Sequence, residues 1–293
     1  MHRRHPLHPG LCALMLLAAT LPAIAETTWQ RVARTGNIVI GYRESSIPFS
    51  YLDAQGRPQG YAIDLCRHLV DALNKRLGRE LRREYRPVTS ANRIDLVASG
   101  QVDLECGSTT NNAERRKQVA FTVPHFISAI RFMVRADSGL RKHADLSRAV
   151  IVTTRGATAE KLFREIDPAA RLLLAPDHAA AFAMLAAGQA DAFMMDDILL
   201  ASLRAASKNP DDYRLLDNTY RIEQLAIMLG KDDPEFKAIV DGEMKRLIAG
   251  GELQRAYRTW FEQPIPPGGI NLRWPMSFLL RDSLRFPSAT AAD

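Results

Sequence analysis

Cysteine is scarce, aromatic residues are few, and no charge of one sign gathers into a run longer than three residues. The 293 residues hold three cysteines and three tryptophans, and aromatics make up 7% of the chain. Cys12 belongs to an N-terminal segment, so only Cys66 and Cys106 remain for the body of the protein. In an oxidising compartment these two could pair, but a disulfide-built scaffold needs more. The net charge of +6 is mild and its Lys and Arg are scattered, with neither the basic stripe nor the module of a nucleic-acid-binding protein. Catalytic signatures are missing too: there is no Gly-x-Ser-x-Gly elbow, phosphate loop, dinucleotide fingerprint or zinc motif. His68, His125, His143 and His178 lie away from Cys106 in sequence and complete no cysteine-enzyme signature.

The one marked apolar run, Leu11 to Leu21, follows Arg3 and Arg4 and precedes Ala23-Ile24-Ala25. Positive start, short apolar stretch and small-x-small site are the order of a cleavable secretory signal, and the run is too short to span a bilayer. Cleavage is expected after Ala25, which leaves residues 26–293 outside the cytoplasm.

In that remainder, strands and helices alternate, which indicates α/β layers. Short strands are predicted at 38–40, 102–106, 132–134, 150–154, 191–195 and 225–229. Helices are predicted at 61–77, 93–99, 159–166, 179–187, 236–249 and 253–261, several closed by a glycine. Pro264, Pro266 and Pro267 then break the pattern. One internal echo stands out: Gly100-Gln101-Val102-Asp103-Leu104 recurs as Gly188-Gln189-Ala190-Asp191-Ala192. Each copy turns a helix into a strand. Ser108 and Asp196 lie at the same offset beyond the two glycines, so two similar lobes would each present a polar side chain at the carboxyl end of an equivalent strand. Open α/β sheets bind ligands there.

The densest polar segment is Glu105-Cys106-Gly107-Ser108-Thr109-Thr110-Asn111-Asn112-Ala113-Glu114-Arg115. Asn111 with Glu114 reads as a capping box opening a helix. Free amides at such a start favour an anion, and Arg115 adds a two-pronged donor suited to a carboxylate. Thr153-Thr154-Arg155-Gly156-Ala157-Thr158 repeats the arrangement, with Thr158 as a possible helix cap. Asp196-Asp197 ends an apolar strand; one carboxylate is expected to cap the next helix and the other to meet an ammonium group. No His or Cys stands beside them at metal-ligand spacing, so no metal or other cofactor is expected. Arg43, Ser90, Arg93 and His178 sit where extended segments give way to turns or helices, and the two arginines exceed what one carboxylate requires.

On these residues the chain resembles the periplasmic glutamate/aspartate-binding proteins of ABC importers, in solute-binding protein family 3. The segments that carry the resemblance are Gly41 through Tyr51, Thr89 through Arg93, Glu105 through Arg115, Ala192 through Asp197, Asn209-Pro210-Asp211, Lys231 through Pro234, and Pro264 through Pro267. The resemblance implies a type II periplasmic-binding fold, two α/β lobes joined by two hinge strands around a ligand cleft. Lobe 1 would comprise 26–131 and 227–267, and lobe 2 would be 132–226. The hinges would lie near Phe132–Arg135 and Gln224–Leu229, with a tail at 268–293. It further implies that Arg115, Ser108, Thr110 and Thr158 hold the α-carboxylate, that Asp196 takes the α-ammonium, and that Arg43, Ser90, Arg93 and His178 surround the side-chain carboxylate. The expected partners are L-glutamate or L-aspartate and an inner-membrane ABC permease with its ATPase, the receptor acting as a monomer. Members often carry a cysteine where this chain has Ile227, which leaves Cys66 as a candidate partner for Cys106. The alternative on the same fold is a secreted cyclohexadienyl-type dehydratase, with Glu44 or Asp197 as general acid.

Overall fold

The computed structural model describes residues 26–289; the expected leader, residues 1–25, and its cleavage site lie outside the described residues. Two main sheets organise the chain. The first runs Arg82–Pro87, Asn37–Tyr42, Leu104–Glu105, Met228–Gly230, Val119–Phe121 in spatial order, and only Met228–Gly230 runs against the direction of the other four. The second runs Leu172–Ala175, Ile151–Thr154, Ala192–Asp196, Phe126–Arg135, with Tyr213–Leu215 and Arg221–Leu225 both paired to the far edge of Phe126–Arg135. A small hairpin sheet of Ser45–Ser46, Ser50–Leu52 and Pro58–Gln59 covers the carboxyl end of the first.

The echo in sequence is an echo in structure. Gly100 and Gly188 both have φ of 71°, a conformation open to glycine at little cost. The next two amides of each copy return to one helix carbonyl, Leu96 in the first and Met184 in the second. The aspartate then clamps the turn to its sheet. Asp103 Oδ2 accepts from the Val39 N–H at 2.8 Å, and Asp191 Oδ2 accepts from the Val150 N–H at 2.7 Å. Asp191→Ala leaves the Val150 N–H without its acceptor and is expected to lower stability by about 1–2 kcal/mol, read as a lower urea midpoint at unchanged slope. Asp103 also meets Arg31, so its removal should cost more.

The helix Tyr61–Leu77 buries Tyr61, Ile63, Leu65, Cys66, Leu69, Val70 and Leu73, the stripe that its periodicity predicts, and stops at Gly78, φ 67°. Cys66 is joined to Cys106 by a disulfide that ties this helix to the segment after Leu104–Glu105. Phe49, Tyr61, Phe126, Tyr257 and Phe261 form a contiguous aromatic cluster beneath the crossing between the sheets.

The chain crosses between sheets twice, side by side. The strand expected over 132–134 begins earlier, at Phe126, because Ile127–Ile130 pair with Arg221–Gln224. The run expected as one strand over 225–229 is divided: Leu225 ends a strand of the second sheet and Met228 begins one of the first. The Thr122 N–H donates to the Ile227 carbonyl and the His125 N–H to that of Leu225, so the crossings are bonded to each other. The tail does not stand off. Helix Phe278–Arg285 buries Leu280 and Leu284, and Asn111 donates to the Ala289 carbonyl.

Candidate functional site

All nine residues singled out from the sequence converge between the two sheets. Seven of them, Ser90, Arg93, Ser108, Thr110, Thr158, His178 and Asp196, line one small, nearly filled cavity. Arg43 reaches Ser90 and His178, and Arg115 bonds Thr110. The walls are closed on one another. An added Cβ on Gly156 (φ 76°) would meet the Ser90 carbonyl at 2.6 Å, so only glycine serves at this approach. Arg115 Nη2 donates to the Gly156 carbonyl at 3.3 Å, and Lys161 pairs with Glu114 across the mouth.

At one end of the cavity, Arg43 is 2% exposed and donates from Nη2 to Ser90 Oγ at 2.8 Å. Arg93 donates to the same hydroxyl at 3.3 Å. Arg43 Nη1 and Arg93 Nε are buried with no acceptor. Burial, with Arg93 alongside, pushes Arg43 down to about 9, and burial lowers Arg93 as well. Both remain cations at neutral pH. His178 Nδ1 faces Thr154 Oγ1 at 2.8 Å. Burial first and the two guanidinium groups second hold its pKa well below the ordinary histidine value, so the ring is neutral.

At the other end, Arg115 donates to the Thr110 carbonyl at 2.9 Å, and burial followed by Arg93 lowers it to about 9. Thr110 forms an antiparallel bridge with Leu225 in which Asn111 and Ala226 make the flanking bonds. That pattern turns the Thr110 N–H and carbonyl away from the neighbouring strand, toward Arg115. Asp196 is 4% exposed, and its Oδ1 has no donor. Burial, then Glu223, raises it to about 8.

Several local expectations change. Asn111 and Glu114 do not open a helix: a three-residue 3-10 turn, Arg115–Lys117, follows, and Asn112 Oδ1 accepts from the Arg115 N–H. Asn111 faces the tail instead. Thr158 is the first residue of its helix rather than the cap, which falls on Ala157; its hydroxyl donates to Glu223. Of the two adjacent aspartates, Asp196 stands at the cap position of helix Asp197–Ala206 without a side-chain cap bond and keeps an oxygen free, while Asp197, the first helical residue, accepts from the Ile198 and Ala129 N–H groups and the Ser128 hydroxyl.

Two acids were missed as site residues. Glu105 is fully buried and accepts from Thr109 at 2.6 Å while facing the Arg43–Arg93 pair. Glu223 is 3% exposed, and its Oε2 accepts from Thr110 at 2.6 Å and Thr158 at 2.7 Å. A signal for Glu223 exists: period two along Arg221–Leu225 puts it in phase with Leu225, on the buried side. Among the described residues no group of three His, Cys, Asp or Glu side chains is placed to hold a metal, and no helix is long and apolar enough to cross a membrane.

Two sheets that meet over a closed, arginine-lined cavity, with paired crossings between them, define a cleft-closing receptor for a small anionic solute. Residues 38–263 match the bacterial extracellular solute-binding proteins, family 3, and the chain belongs to that family. It is 40% identical over 296 aligned residues to the L-glutamate/L-aspartate-binding protein of Pseudomonas aeruginosa, covering 97% of this chain and 98% of that one. It is 38% identical to the glutamate/aspartate import solute-binding protein of Escherichia coli, covering 91% and 90%. Among solved structures, the solute receptor for L-cysteine of Neisseria gonorrhoeae superposes with TM-score 0.73 at 27% identity, covering 80% of this chain and 93% of that one. The ancestral amino acid-binding protein AncCDT-1, a precursor of cyclohexadienyl dehydratase, gives 0.71 at 26%, covering 80% and 100%. These neighbours have the type II periplasmic-binding fold that the sequence resemblance implied.

Proposed function

We propose that this chain captures L-glutamate or L-aspartate in the periplasm, after cleavage of its leader behind Ala25, and delivers it to an inner-membrane ABC permease with its ATPase. The observation that carries this reading is three guanidinium groups gathered at one cavity that also holds Asp196: Arg93 in its wall, and Arg43 and Arg115 each bonded to a wall residue, Ser90 and Thr110. One α-amino acid needs one of those arginines for its α-carboxylate; the other two answer a second carboxylate. The names of the relatives at 38–40% identity support the same ligand class.

In this reading Arg115 and the Thr110 and Thr158 amides hold the α-carboxylate, with Ser108 beside them. The Thr158 amide lies in a first helical turn, where no intrahelical acceptor exists. Asp196 takes the ammonium. Arg43, Ser90 and Arg93 hold the distal carboxylate, with neutral His178 against Arg43. The moving lobes are the two sheets with their helices, turning about the crossings at 122–126 and 225–228. The first of these takes the place of the hinge expected near Phe132–Arg135, a segment inside the strand Phe126–Arg135. The ligand favours closure because it bonds both walls at once. The dehydratase reading lacks its acid: Glu44 is exposed and Asp197 is committed to three donors.

The test is calorimetry on the mature, ligand-stripped protein. One-to-one binding of glutamate or aspartate is expected, and at 100 times Kd a stabilisation of about 2.7 kcal/mol, read as a raised melting temperature. Binding of neither amino acid would overturn the proposal.

A further inference from the structure

We propose that Glu223 is a second acceptor for the ligand's ammonium group, opposite Asp196, and that this pair makes closure of the cleft depend on an amine. The inference rests on the amino-acid reading above and assigns a residue that reading does not use.

Register places the two acids. Asp196 pairs with Ile130 on one flank of the strand Phe126–Arg135, and Glu223 pairs with Ser128 on its other flank. Ile130 and Ser128 are two residues apart, so they share a face, and each acid shares the face of the residue it opposes. Both carboxylates therefore rise from the same side of the second sheet, astride one strand, with backbones separated laterally by about 10 Å. Side chains reaching inward from that distance leave room for one small cation.

The hydrogen bonds fix the Glu223 carboxylate and leave it incomplete. Its Oε2 is held by the hydroxyls of Thr110 and Thr158, at 2.6 and 2.7 Å, from opposite walls of the cavity. Its Oε1 is buried and has no donor; Asp196 Oδ1 and Ser108 Oγ are buried without partners as well. An ammonium carries three N–H donors and no acceptor, and Glu223 Oε1 and Asp196 Oδ1 are the two free carboxylate oxygens that answer it. Glu223 lines the pocket that adjoins the cavity through Thr110 and Thr158, and two buried carboxylates close enough to interact are unfavourable unless a cation or a proton stands between them. Consistent with this, the Glu223 charge is, after burial, the next cause that raises Asp196. The same bonds settle what the threonines offer: their hydroxyls are committed to Glu223, so the α-carboxylate meets their amides.

Glutamate and glutarate, which differ by the ammonium, are titrated into the wild type and Glu223→Gln. The glutamine keeps an oxygen for the two hydroxyls but turns an N–H₂ toward the ammonium. We expect glutamate affinity to fall about 30-fold, in the range for losing one buried charged partner, with glutarate affinity changed less than about threefold. Equal losses for both ligands would reduce Glu223 to a prop for the threonines and overturn the inference, as would an unchanged glutamate affinity. A wild type that binds neither glutamate nor aspartate overturns the ligand reading itself, which is a separate outcome. Should Glu223→Gln not fold, a structure of the wild type with glutamate decides: a Glu223 oxygen within about 3.2 Å of the ligand nitrogen supports the inference, and one beyond about 4 Å overturns it.

Discussion

Asp196→Asn is expected to cost about three orders of magnitude in affinity for glutamate while making the empty protein more stable at pH 8. The two effects share one cause. Asp196 is 4% exposed, and one of its oxygens has no donor, so in the empty state its charge is disfavoured by burial more than Ser128 and Arg93 offset. A ligand ammonium supplies the missing partner. Removing one member of a buried, hydrogen-bonded charge pair costs about 2–5 kcal/mol, and about 4 kcal/mol corresponds to a thousandfold in Kd. Asparagine keeps the shape, so the loss is electrostatic and not a packing defect. The stability change follows from proton linkage. The Asp196 carboxyl rises from its ordinary value to about 8, chiefly through burial. Between about pH 4 and 8, the folded protein therefore holds a proton that the unfolded chain has released, and stability declines as pH rises across that window. Below it both states are protonated, and Asp196 behaves much as asparagine would. The advantage of Asp196→Asn should accordingly be small at pH 4 and grow to at least about 2–4 °C in melting temperature by pH 8. Melts across pH, with calorimetry at pH 7, check both halves. A variant that binds glutamate normally, or that loses stability at pH 8, would remove Asp196 from the role given to it. Stability held back at a binding group is the usual trade between function and folding.

Much of this site could be read before any coordinates, and the reasons are local. The arginines, hydroxyls and aspartate all stand where a strand gives way to a turn, and the repeated Gly-Gln-x-Asp turn shows that two such edges exist. That repeat survives as matching φ angles and matching aspartate clamps because a helix-to-strand reversal needs both a left-handed residue and an acceptor for the next strand's amide. The helix at 61–77 was legible to the residue, since its apolar stripe has one clear period. What escaped has equally local causes. The strand Arg82–Pro87 lies at the sheet edge with mostly exposed, charged side chains, so it shows no apolar alternation. The division of 225–229 between two sheets leaves no mark on a uniformly apolar run, because both halves are buried. The Asn111–Glu114 capping signal was real in composition but misleading, for the chain needs only a single 3-10 turn there. Glu223 was missed because its partners, Thr110 and Thr158, come from distant segments. An acid in a buried strand phase announces a partner but does not name it.

Arg43→Met is expected to erase the preference for glutamate over glutamine. Arg43 is buried against Ser90 and His178, and one of its terminal nitrogens has no acceptor; Arg93 next to it likewise keeps Nε unpaired. These are donor groups at the end of the cavity away from Asp196. A carboxylate offers them two oxygens and a negative charge. A carboxamide offers one oxygen and turns N–H donors against N–H donors, leaving buried cations unsatisfied. Sites built on such hydrogen bonds reject the mismatched analogue far more strongly than apolar pockets distinguish a methylene. The wild type should therefore prefer glutamate to glutamine by at least about a hundredfold. Methionine replaces the buried stem without the charge, and Arg93 alone then faces the distal group, already drawn on by Glu105. Glutamate affinity should fall about 100- to 1,000-fold, the scale of one lost charge partner in a dry site, while glutamine falls less than about tenfold. Because burial and the neighbouring Arg93 both disfavour the Arg43 charge, the empty variant should fold at least as stably as the wild type, so weaker binding cannot be ascribed to unfolding. Titration of both amino acids into both proteins gives the ratio directly. A glutamate preference that survives in Arg43→Met would place the distal carboxylate at Arg115 instead and reverse the ligand's orientation in the cleft.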